Sequence, residues 1–458
     1  MSCDPAIIII ITGRVTIISI QDGRPFLIPG LAGPVDLRTL MIQLVRGFKD
    51  ILPPETSVWQ SIEDTARRHF ENFGFREIRP PVLEQAALFQ RSIGEHTDIV
   101  EKEMYTFAGS RDTLLTLRPE ATASVVRAYI QHKIYAADPA ARFYTIGPMF
   151  RKERPQKGRY RQFYQINAEV FGVDSPYMDA QLIYMCMTFF RRLSVSGLQV
   201  HLNSLGCPEC RPAFRQKLSE MLAGRTENLC PDCLRRLEKN PLRVLDCKVP
   251  ACREAVADAP SMLDFLCDDC GQHFRTVQAA LSDMDIDFQI DPRLVRGLDY
   301  YTRTAFEIQT SELGAQNAVA GGGRYDQLVE MLGGPAQPAI GFAIGLDRLV
   351  ELFAAKFPAP ETGPDVFFLP MGEAARKRAA KWSSQLADAG VRVEADFSGR
   401  SLKALMRRAD RMGAARVLIV GDQELAENKA VLRDMKTRDQ VAVPMDRLVA
   451  FISGHVGR

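Results

Sequence analysis

The stretch that decides the fold is ARFYTIGPMFRKERPQKGRYRQFYQINAEVFG, residues 141–172. Two runs of strand-forming residues flank the polar segment KERPQKGRY, and this pattern predicts an antiparallel hairpin. Side chains alternate across a strand, so one face of the second strand is largely apolar and carries Tyr164, Ile166, Ala168 and Val170. The other face carries Phe163, Gln165, Asn167 and Glu169. A polar sheet face indicates a pocket, and the alternative is an ordinary solvated outer face.

The segments on either side of this hairpin predict elements that pack with it. Upstream, apolar residues recur at helical spacing: Val58, Ile62, Ala66, Phe70 and Phe73. Gly74 is expected to end that helix before the strand-like FREIRPPV. Downstream, GFAIGLDRL from Gly341 has the pattern of an apolar strand that turns into a helix. Arg348 then lies in the first helical turn, where its guanidinium and the helix N-terminus can converge on an anion.

A further domain is predicted after the Pro-rich linker Phe357 to Pro364. The chain there alternates DVFFLP, a helix from Glu373 to Ala389, VRVEAD, a helix from Ser401 to Met412, and ARVLIVGD. This alternation is typical of a small α/β domain with a largely parallel sheet. The second helix has a basic face with Arg400, Lys403, Arg407 and Arg411, opposite an apolar face with Leu402, Leu405, Met406 and Ala409. The basic face is either a solvated surface or a surface for a polyanion.

Eight of the ten cysteines fall between residues 207 and 270, which marks a separate insertion. They form four close pairs: Cys207/Cys210, Cys230/Cys233, Cys247/Cys252 and Cys267/Cys270. Three pairs have CxxC spacing, which fits structural zinc held by thiolates. Free buried thiols are the alternative, and disulfides are the weaker explanation in a reducing cytosol.

The composition is that of an ordinary globular protein, and the 458 residues are enough for about three domains. A charged fraction of 25% and a hydrophobic fraction of 46% exclude disordered and low-complexity classes. The longest apolar stretch, Ala6 to Ile20, is too short to cross a bilayer and contains Arg14, so a cytoplasmic protein without a membrane partner is predicted. Residues 1–40 connect poorly to the helix predicted from Thr56, and one hypothesis starts the native chain at Met41.

Arginines would have to bind any nucleotide, because the sequence contains no GxxxxGK phosphate loop. The net charge is only +2, so a polyanion would be held by local basic patches. One such patch runs from Arg151 to Arg161, with six basic residues and one acidic residue. That segment is suited to phosphates or to a nucleic-acid end, and a plain surface loop is the alternative.

These motifs, in this order, resemble those of class II aminoacyl-tRNA synthetases and, within that class, the histidyl-tRNA synthetase family. The helix and strand ending near Pro81 resemble motif 1, FRKERPQKGRYRQF resembles motif 2, and GFAIGLDRL resembles motif 3. LVRGLDYYTRTAFE from Leu294 and AGGGRYDQL from Ala320 resemble two signatures peculiar to the histidyl enzymes. TLRPEATA from Thr116 resembles a further family segment, and the resemblance covers about residues 41–458.

The resemblance implies an α+β fold of the class II synthetase type, built from four parts. They are an N-terminal extension at 1–40, an antiparallel-sheet catalytic domain at 41–200 and 291–357, the cysteine-rich insertion at 201–290, and an α/β anticodon-binding domain at 365–458. A homodimer built on motif 1 is implied as well.

By position, the resemblance also implies roles for individual residues. ATP would be bound by Arg151 at the α-phosphate, Glu153 at the adenine amino group, Phe163 against the ring and Arg348 at the γ-phosphate. L-Histidine would be bound at its α-amino group by Glu120, Thr122 and Gln165, and at its imidazole by Glu169 and Tyr301. Arg296 would lie near the α-phosphate and the histidine carboxylate, which makes Arg151 and Arg296 the catalytic pair. The tRNA would contact Arg154, Lys157, Arg159, Arg161, Arg400, Lys403, Arg407 and Arg411.

The implied activity is that of a histidine–tRNA ligase, which forms histidyl-adenylate from histidine and ATP and transfers histidine to the 3′ end of tRNA(His). Two guanidiniums beside the α-phosphorus suit this chemistry because they stabilise charge on its oxygens without proton transfer. Mg²⁺ is expected to bridge the phosphates, and Zn²⁺ in the insertion would be structural.

Two other functions are open at this point. A catalytically inactive, synthetase-like regulatory subunit of histidine biosynthesis should have lost the arginines and the C-terminal domain, both of which this chain retains. A zinc-dependent nucleic-acid-binding protein accounts for the insertion and the basic helix but leaves the three class II motifs unexplained.

Overall fold

The computed structural model describes residues 42–94, 97–110, 113–156, 158–313, 317–356 and 363–456, and the backbone of three strands nearer the N-terminus. Those strands form an antiparallel sheet within residues 1–40: β1 (Ile7–Ile11), β2 (Arg14–Gln21) and β3 (Arg24–Leu27). Among the helices that the structure describes, none is long and apolar enough to cross a membrane.

The central part of the chain is built on one large sheet and one small sheet. Its strands are β4 (Arg76–Glu77), β5 (Leu83–Gln85), β6 (Tyr105–Ala108), β7 (Leu114–Leu117), β8 (Arg142–Phe150), β9 (Gln162–Phe171), β10 (Leu198–Ser204), β11 (Phe288–Ile290), β12 (Thr302–Thr310), β13 (Ala318–Arg324) and β14 (Ala339–Gly345). The large sheet has the order β11-β10-β12-β13-β14-β9-β8-β4 and is antiparallel except for its two edge pairs. Strands β5, β7 and β6 form the small antiparallel sheet.

The predicted hairpin is confirmed as the pair β8–β9. Its register runs from Arg142 opposite Val170 to Phe150 opposite Gln162. The strand predicted from FREIRPPV is much shorter than expected, since only Arg76 and Glu77 pair with β8. Pro80 and Pro81 come soon after, and a proline nitrogen has no hydrogen to donate to a neighbouring strand.

Helices cover one face of the large sheet and build the insertion. They are α1 (Glu55–Asn72), α2 (Ala86–Ile93), α3 (Thr122–Gln131), α4 (Ile134–Ala137), α5 (Pro176–Arg192), α6 (Arg211–Ala223), α7 (Pro231–Lys239), α8 (Pro250–Ala255), α9 (Asp268–Asp283), α10 (Leu328–Met331) and α11 (Leu346–Lys356). A π-helical turn spans Ile99–Glu103, and short 3-10 turns span Thr226–Asn228, Pro241–Asp246, Met262–Phe265 and Ser311–Leu313.

The main core lies between the large sheet and the helices α1, α5, α9 and α11. The predicted first helix is confirmed: its periodic residues Val58, Ile62, Ala66 and Phe70 are all buried in this core. The chain turns after that helix at Gly74, whose φ of +81° is a left-handed conformation that glycine adopts without steric cost. The opposite face of the sheet is left open near β9 and β12, where a cavity forms.

The insertion leaves the sheet after β10 and returns at α9. Helices α6, α7 and α8 have a small core of their own, in which Phe214, Leu218 and Leu222 pack with cysteine side chains. Strand β10, helix α9 and strand β11 overlap the predicted insertion of 201–290, yet they belong to the large sheet and its core.

The C-terminal domain is a five-stranded sheet with helices packed on it. Its strands are β15 (Val366–Pro370), β16 (Val393–Ala395), β17 (Arg416–Val420), β18 (Lys429–Asp434) and β19 (Gln440–Pro444), in the order β16-β15-β17-β18-β19. Its helices are α12 (Glu373–Asp388), α13 (Leu402–Arg411), α14 (Asp422–Glu427) and α15 (Leu448–Val456).

The predicted α/β alternation of this domain is confirmed as far as β17, but the sheet is mixed and not largely parallel. Strands β18 and β19 form an antiparallel hairpin beyond the segment that the sequence pattern covered. The Asp434 carboxylate accepts the amides of Lys436 and Thr437, and this turn sends the chain back. Most of the predicted linker 357–364 lies outside the described residues.

Candidate active site

A cavity of about 260 Å³ opens on the face of the large sheet that the core helices leave uncovered. Its walls come from β9, β12, β13 and β14, from the loop between β8 and β9, and from the segment that precedes β12. On β9 the predicted polar face lines this cavity through Phe163, Gln165 and Asn167. The opposite face is buried in the main core, so the pocket interpretation is confirmed and the solvated alternative is wrong for this strand.

The three arginines singled out from separate stretches of sequence, Arg151, Arg296 and Arg348, all line this one cavity. Each is oriented by a protein acceptor. Arg151 Nε donates to Pro119 O at 2.9 Å, and Arg348 Nη1 donates to Ala318 O at 2.6 Å. Arg296 Nη1 donates to a Glu307 carboxylate oxygen at 2.5 Å. Guanidiniums held in this way are preorganised to bind an anion that enters the cavity.

Four arginines line the cavity, Arg151, Arg159, Arg296 and Arg348, beside the carboxyl groups of Glu120, Glu153, Glu307 and Asp347. Burial lowers the pKa of Arg348, and the nearby Arg159 guanidinium lowers it further. Burial also opposes the charge of Arg296, but Tyr301 and Glu307 outweigh that effect and raise its pKa above the usual arginine value. Arg296 is therefore cationic at any physiological pH, and a polyanion such as a triphosphate would relieve the repulsion among these side chains.

Two buried carboxyl groups lie at the cavity, Glu120 in its lining and Glu169 behind it. Glu120 accepts the backbone amides of Thr122 at 2.6 Å and Ala123 at 2.9 Å, and so caps the N-terminus of α3. Thr122 Oγ1 donates to Glu169 at 2.7 Å, and the Tyr325 hydroxyl donates to the second Glu169 oxygen. Burial raises the pKa of Glu120, and burial raises the pKa of Glu169 to about 8. Glu120 therefore adds a buried carboxyl group to the lining, and Glu169 lies behind it with two hydroxyl donors, Thr122 and Tyr325, already in place.

All predicted ATP-binding and histidine-binding residues but one line the cavity: Glu120, Thr122, Arg151, Glu153, Phe163, Gln165, Arg296, Tyr301 and Arg348. The exception is Glu169, which is 1% exposed and lies behind the wall, reached through Thr122 and Tyr325.

Glu153 already has partners within the loop between β8 and β9. Arg159 forms an ion pair with its carboxylate, and Arg151 Nη1 lies 3.8 Å from the same group. Arg161 Nε donates to the Glu153 carbonyl at 3.2 Å. Arg159, which is predicted to contact tRNA, also lines the cavity.

The other residues predicted to contact tRNA differ in how exposed their side chains are. Arg154 of the loop is exposed, Arg161 is half-buried, and Lys157 lies outside the described residues. In the C-terminal domain the basic side chains are exposed; Arg400 lies before the start of α13 and not on it, and the helix carries Lys403, Arg407 and Arg411. On the opposite face of α13, Leu405 and Ala409 are buried as predicted, whereas Leu402 is 40% exposed because it is the first residue of the helix.

Sequence reasoning missed two residues that the structure brings into the site. Glu307 lines the cavity and orients Arg296, and Tyr325 donates to Glu169. Both lie within the signature peptides that begin at Leu294 and Ala320. Only the alternation of side chains along β12 could have indicated on which face of the sheet Glu307 lies. The structure also explains why β13 has a glycine at position 321: a Cβ there would lie 2.5 Å from Arg296 Nη2.

Comparison with known proteins agrees with this geometry. Residues 47–349 match the family model described as "Histidyl-tRNA synthetase", which is well over half of the chain. The chain belongs to the histidyl-tRNA synthetase family. Residues 365–455 match the model described as "Anticodon binding domain". The predicted α+β fold of the class II synthetase type, with its C-terminal anticodon-binding domain, is thereby confirmed.

Individual members of the histidyl-tRNA synthetase family are similar over nearly their whole length. A histidine–tRNA ligase of Desulforapulum autotrophicum is 59% identical over 90% of this chain and 98% of its own. One of Desulfatibacillum aliphaticivorans is 57% identical over 91% of this chain and 100% of its own. The crystal structure of the apo histidyl-tRNA synthetase of S. aureus is 34% identical, covers 90% of this chain and 100% of its own, and has a TM-score of 0.76. The regulatory-subunit alternative is not favoured.

Proposed function

We propose that this chain catalyses the ATP-dependent attachment of L-histidine to the 3′ end of tRNA(His). The observation that carries the proposal is the convergence of Arg151, Arg296 and Arg348 on one cavity that Glu120 and Thr122 also line, with Glu169 directly behind Thr122. The arginines suit a triphosphate, and the fixed hydrogen-bonding groups around Glu120 and Thr122 suit a small polar amino acid. The expected site roles follow from this division.

In the first step, the histidine carboxylate attacks the α-phosphorus of ATP and pyrophosphate leaves. Arg348 binds the γ-phosphate and Phe163 stacks against the adenine. Arg151 and Arg296 approach the α-phosphate, where negative charge builds up on the equatorial oxygens. Because both guanidiniums are held by protein acceptors before substrate binds, little reorganisation is needed at the transition state.

ATP in this reaction is expected to carry Mg²⁺. The cavity offers a fitting hard oxygen ligand in the carboxylate of Glu307, which lies on the same wall as Arg296. When bound, the ion would neutralise phosphate charge and stabilise the departing pyrophosphate.

Histidine is selected by groups that match both imidazole nitrogens. The Glu169 carboxyl group pairs with one nitrogen, and the Tyr301 hydroxyl pairs with the other. Thr122 lies between Glu169 and the cavity, so we expect its hydroxyl to release Glu169 when the imidazole enters. Amino acids without an imidazole would leave these buried groups unpaired, and the site rejects them for that reason.

In the second step, the terminal ribose hydroxyl of the tRNA attacks the adenylate and AMP leaves. Arg154, Lys157, Arg159 and Arg161 of the loop between β8 and β9 contact the acceptor end, and the basic face of α13 contacts the anticodon arm. Phosphate contacts of this kind position the RNA without reading its sequence. The test is charging: the purified chain should attach labelled histidine to tRNA(His) with ATP and Mg²⁺, and failure to do so would overturn the proposal.

The basic face of α13 provides a prediction for the RNA step alone. Reversing two exposed charges, with Lys403→Glu and Arg407→Glu together, should raise the KM for tRNA by about tenfold or more, since phosphate contacts supply most of the binding. Pyrophosphate exchange, which needs no tRNA, should be unchanged. Reversal of Lys377 and Lys381, exposed on α12 of the same domain, is the matched control. Equal tRNA KM values for the two double variants would show that this face of α13 does not bind RNA.

The chain is further proposed to act as a homodimer in the cytoplasm. Large apolar side chains are exposed just before α1 in the motif 1 region, among them Ile42, Val45 and Leu52. A second copy of the chain would cover such a patch. Sedimentation equilibrium at micromolar concentration checks this proposal, and a monomer mass would contradict it.

A further inference from the structure

The eight cysteines of the insertion form two separate clusters of four. We call Cys207, Cys210, Cys267 and Cys270 the neck cluster, and Cys230, Cys233, Cys247 and Cys252 the inner cluster. Within each cluster the four Sγ atoms lie within 4.8 Å of one another, and all eight thiols are free of disulfide bonds. The sequence pairs therefore combine in a definite way: the first CxxC pair joins the last, and the second joins the third.

The sulfur geometry is that of tetrahedral metal sites. A zinc–sulfur distance of about 2.3 Å corresponds to sulfurs about 3.8 Å apart at the corners of a tetrahedron, whereas a disulfide requires about 2.05 Å. The Sγ atom of Cys207 lies 3.5 Å from that of Cys210 and 3.9 Å from that of Cys267. In the inner cluster, the Cys230 and Cys247 sulfurs are 3.9 Å apart.

Backbone amides and helix N-termini surround the sulfurs. The amide of Cys267 donates to Cys210 Sγ at 3.1 Å, and the amide of Cys230 donates to Cys252 Sγ at 3.1 Å. Cys210, Cys230 and Cys267 are the N-cap residues of α6, α7 and α9, where the helix dipole stabilises negative charge. Most of the other sulfurs are buried, and four thiolates held this close together in a buried site would require a cation at their centre.

The neck cluster joins the two points where the insertion meets the large sheet. Cys207 and Cys210 come after β10, and Cys267 and Cys270 begin α9, whose buried face packs in the main core. A metal bound there would therefore fix the insertion to the catalytic part of the chain. The inner cluster would fix the fold of the insertion itself.

The insertion in turn holds the segment that carries Arg296. Arg211, next to Cys210, donates to the carbonyl of Tyr301. Arg243, which lies between the inner-cluster cysteines Cys233 and Cys247, donates to Gly297 O at 2.5 Å. These contacts bracket residues 297–301, immediately after Arg296 and immediately before β12.

We propose that the neck and inner clusters are two tetrathiolate Zn²⁺ sites, and that the metal-bound insertion positions the segment that carries Arg296. With four thiolates in each site, no coordination position is open to substrate, so the zinc is structural. Arg211 is a positioning residue, since it acts on the site through the Tyr301 backbone. The positioning part rests on the proposed function, whereas the metal sites do not.

Metal content of the purified full-length chain tests the sites independently of activity. We expect two zinc ions per chain, one in the Cys207→Ser/Cys267→Ser variant and two in the control Cys186→Ala, which changes a buried cysteine of the main core. Refolding with Co²⁺ alone should give the charge-transfer and d–d bands of tetrahedral thiolate coordination. A folded, metal-free protein would overturn the proposal, and bound iron would overturn the zinc assignment.

Arg211→Met tests positioning without disturbing a metal ligand, and it remains informative if the cysteine variants do not fold. We expect it to retain two zinc ions, to lose at least about tenfold in kcat for pyrophosphate exchange, and to retain the wild-type KM for ATP. Wild-type exchange by this variant would overturn the positioning role. Two zinc ions in a wild-type chain that shows no exchange at all would leave the metal sites standing and refute the proposed function instead.

Discussion

Replacing Arg296 by alanine is expected to lower kcat/KM for histidine-dependent pyrophosphate exchange by about a hundredfold or more, since losing one preorganised charge-stabilising group costs on the order of 3 kcal/mol of barrier. Arg296 is held by Glu307 and lies over the Tyr301 ring, 5.9 Å from its centroid. Alanine leaves that wall of the cavity with the Glu307 carboxylate unopposed. The negative charge that develops at the α-phosphate then meets a carboxylate in place of a guanidinium.

The matched control is Arg293→Ala, which removes an exposed arginine from the same segment three residues earlier. It should retain wild-type exchange, and both variants should unfold at the wild-type temperature. Exchange by the Arg296 variant within tenfold of wild type would show that its assigned role is wrong. An intermediate rate for Arg296→Lys would show that charge alone supplies part of the effect and that the forked geometry supplies the rest.

Replacing Glu169 by glutamine is expected to lower kcat/KM for histidine by about a hundredfold or more, while the KM for ATP stays unchanged, because a site built around a buried hydrogen-bonding group depends strongly on that group. Glutamine keeps the shape of the side chain and can still bond to Thr122 and Tyr325. What is lost is the ionisable carboxyl group that pairs with the imidazole. Glu330→Gln, which changes an exposed carboxyl group on α10, is the control and should leave both constants unaltered.

Glu169→Gln should also change how the free energy of unfolding depends on pH. Burial raises the pKa of Glu169 from the ordinary 4.5 to about 8, so between those pH values the folded chain keeps a proton that the unfolded chain loses. The wild type should therefore lose stability toward unfolding as pH rises through this window, and Glu169→Gln should lose less. Unfolding in denaturant at pH 5 and pH 8 measures the difference. Equal losses for the two proteins, or histidine kinetics within tenfold of wild type, would contradict the role given to Glu169.

The elements that the sequence predicts well are those that depend on local pattern. The hairpin β8–β9, the helix α1 and the strand-to-helix turn before Arg348 follow from the spacing of apolar residues along one segment. The polar face of β9 was predictable for the same reason, because alternation places Gln165 and Asn167 on one side. The roles of Glu120 and Arg296, in contrast, came from family resemblance and not from any local pattern.

Features that the sequence did not show depend on contacts between distant segments. Nothing in the spacing of the cysteines says that Cys207 meets Cys267, because that contact depends on β10 and α9 packing in one core. The position of Glu169 behind Thr122 likewise depends on how α3 packs against β9. The hairpin β18–β19 was missed because its strands are short and half-exposed, with little periodic signal.

In the proposed function, one cavity holds a triphosphate against three arginines and, beside it, an amino acid selected through its imidazole. Exchange of labelled pyrophosphate into ATP, measured with the purified wild-type chain and each standard amino acid in turn, tests it most directly. The predicted result is Mg²⁺-dependent exchange with histidine and no other amino acid. Absence of exchange with histidine, or equal exchange with an amino acid that lacks an imidazole, would contradict it.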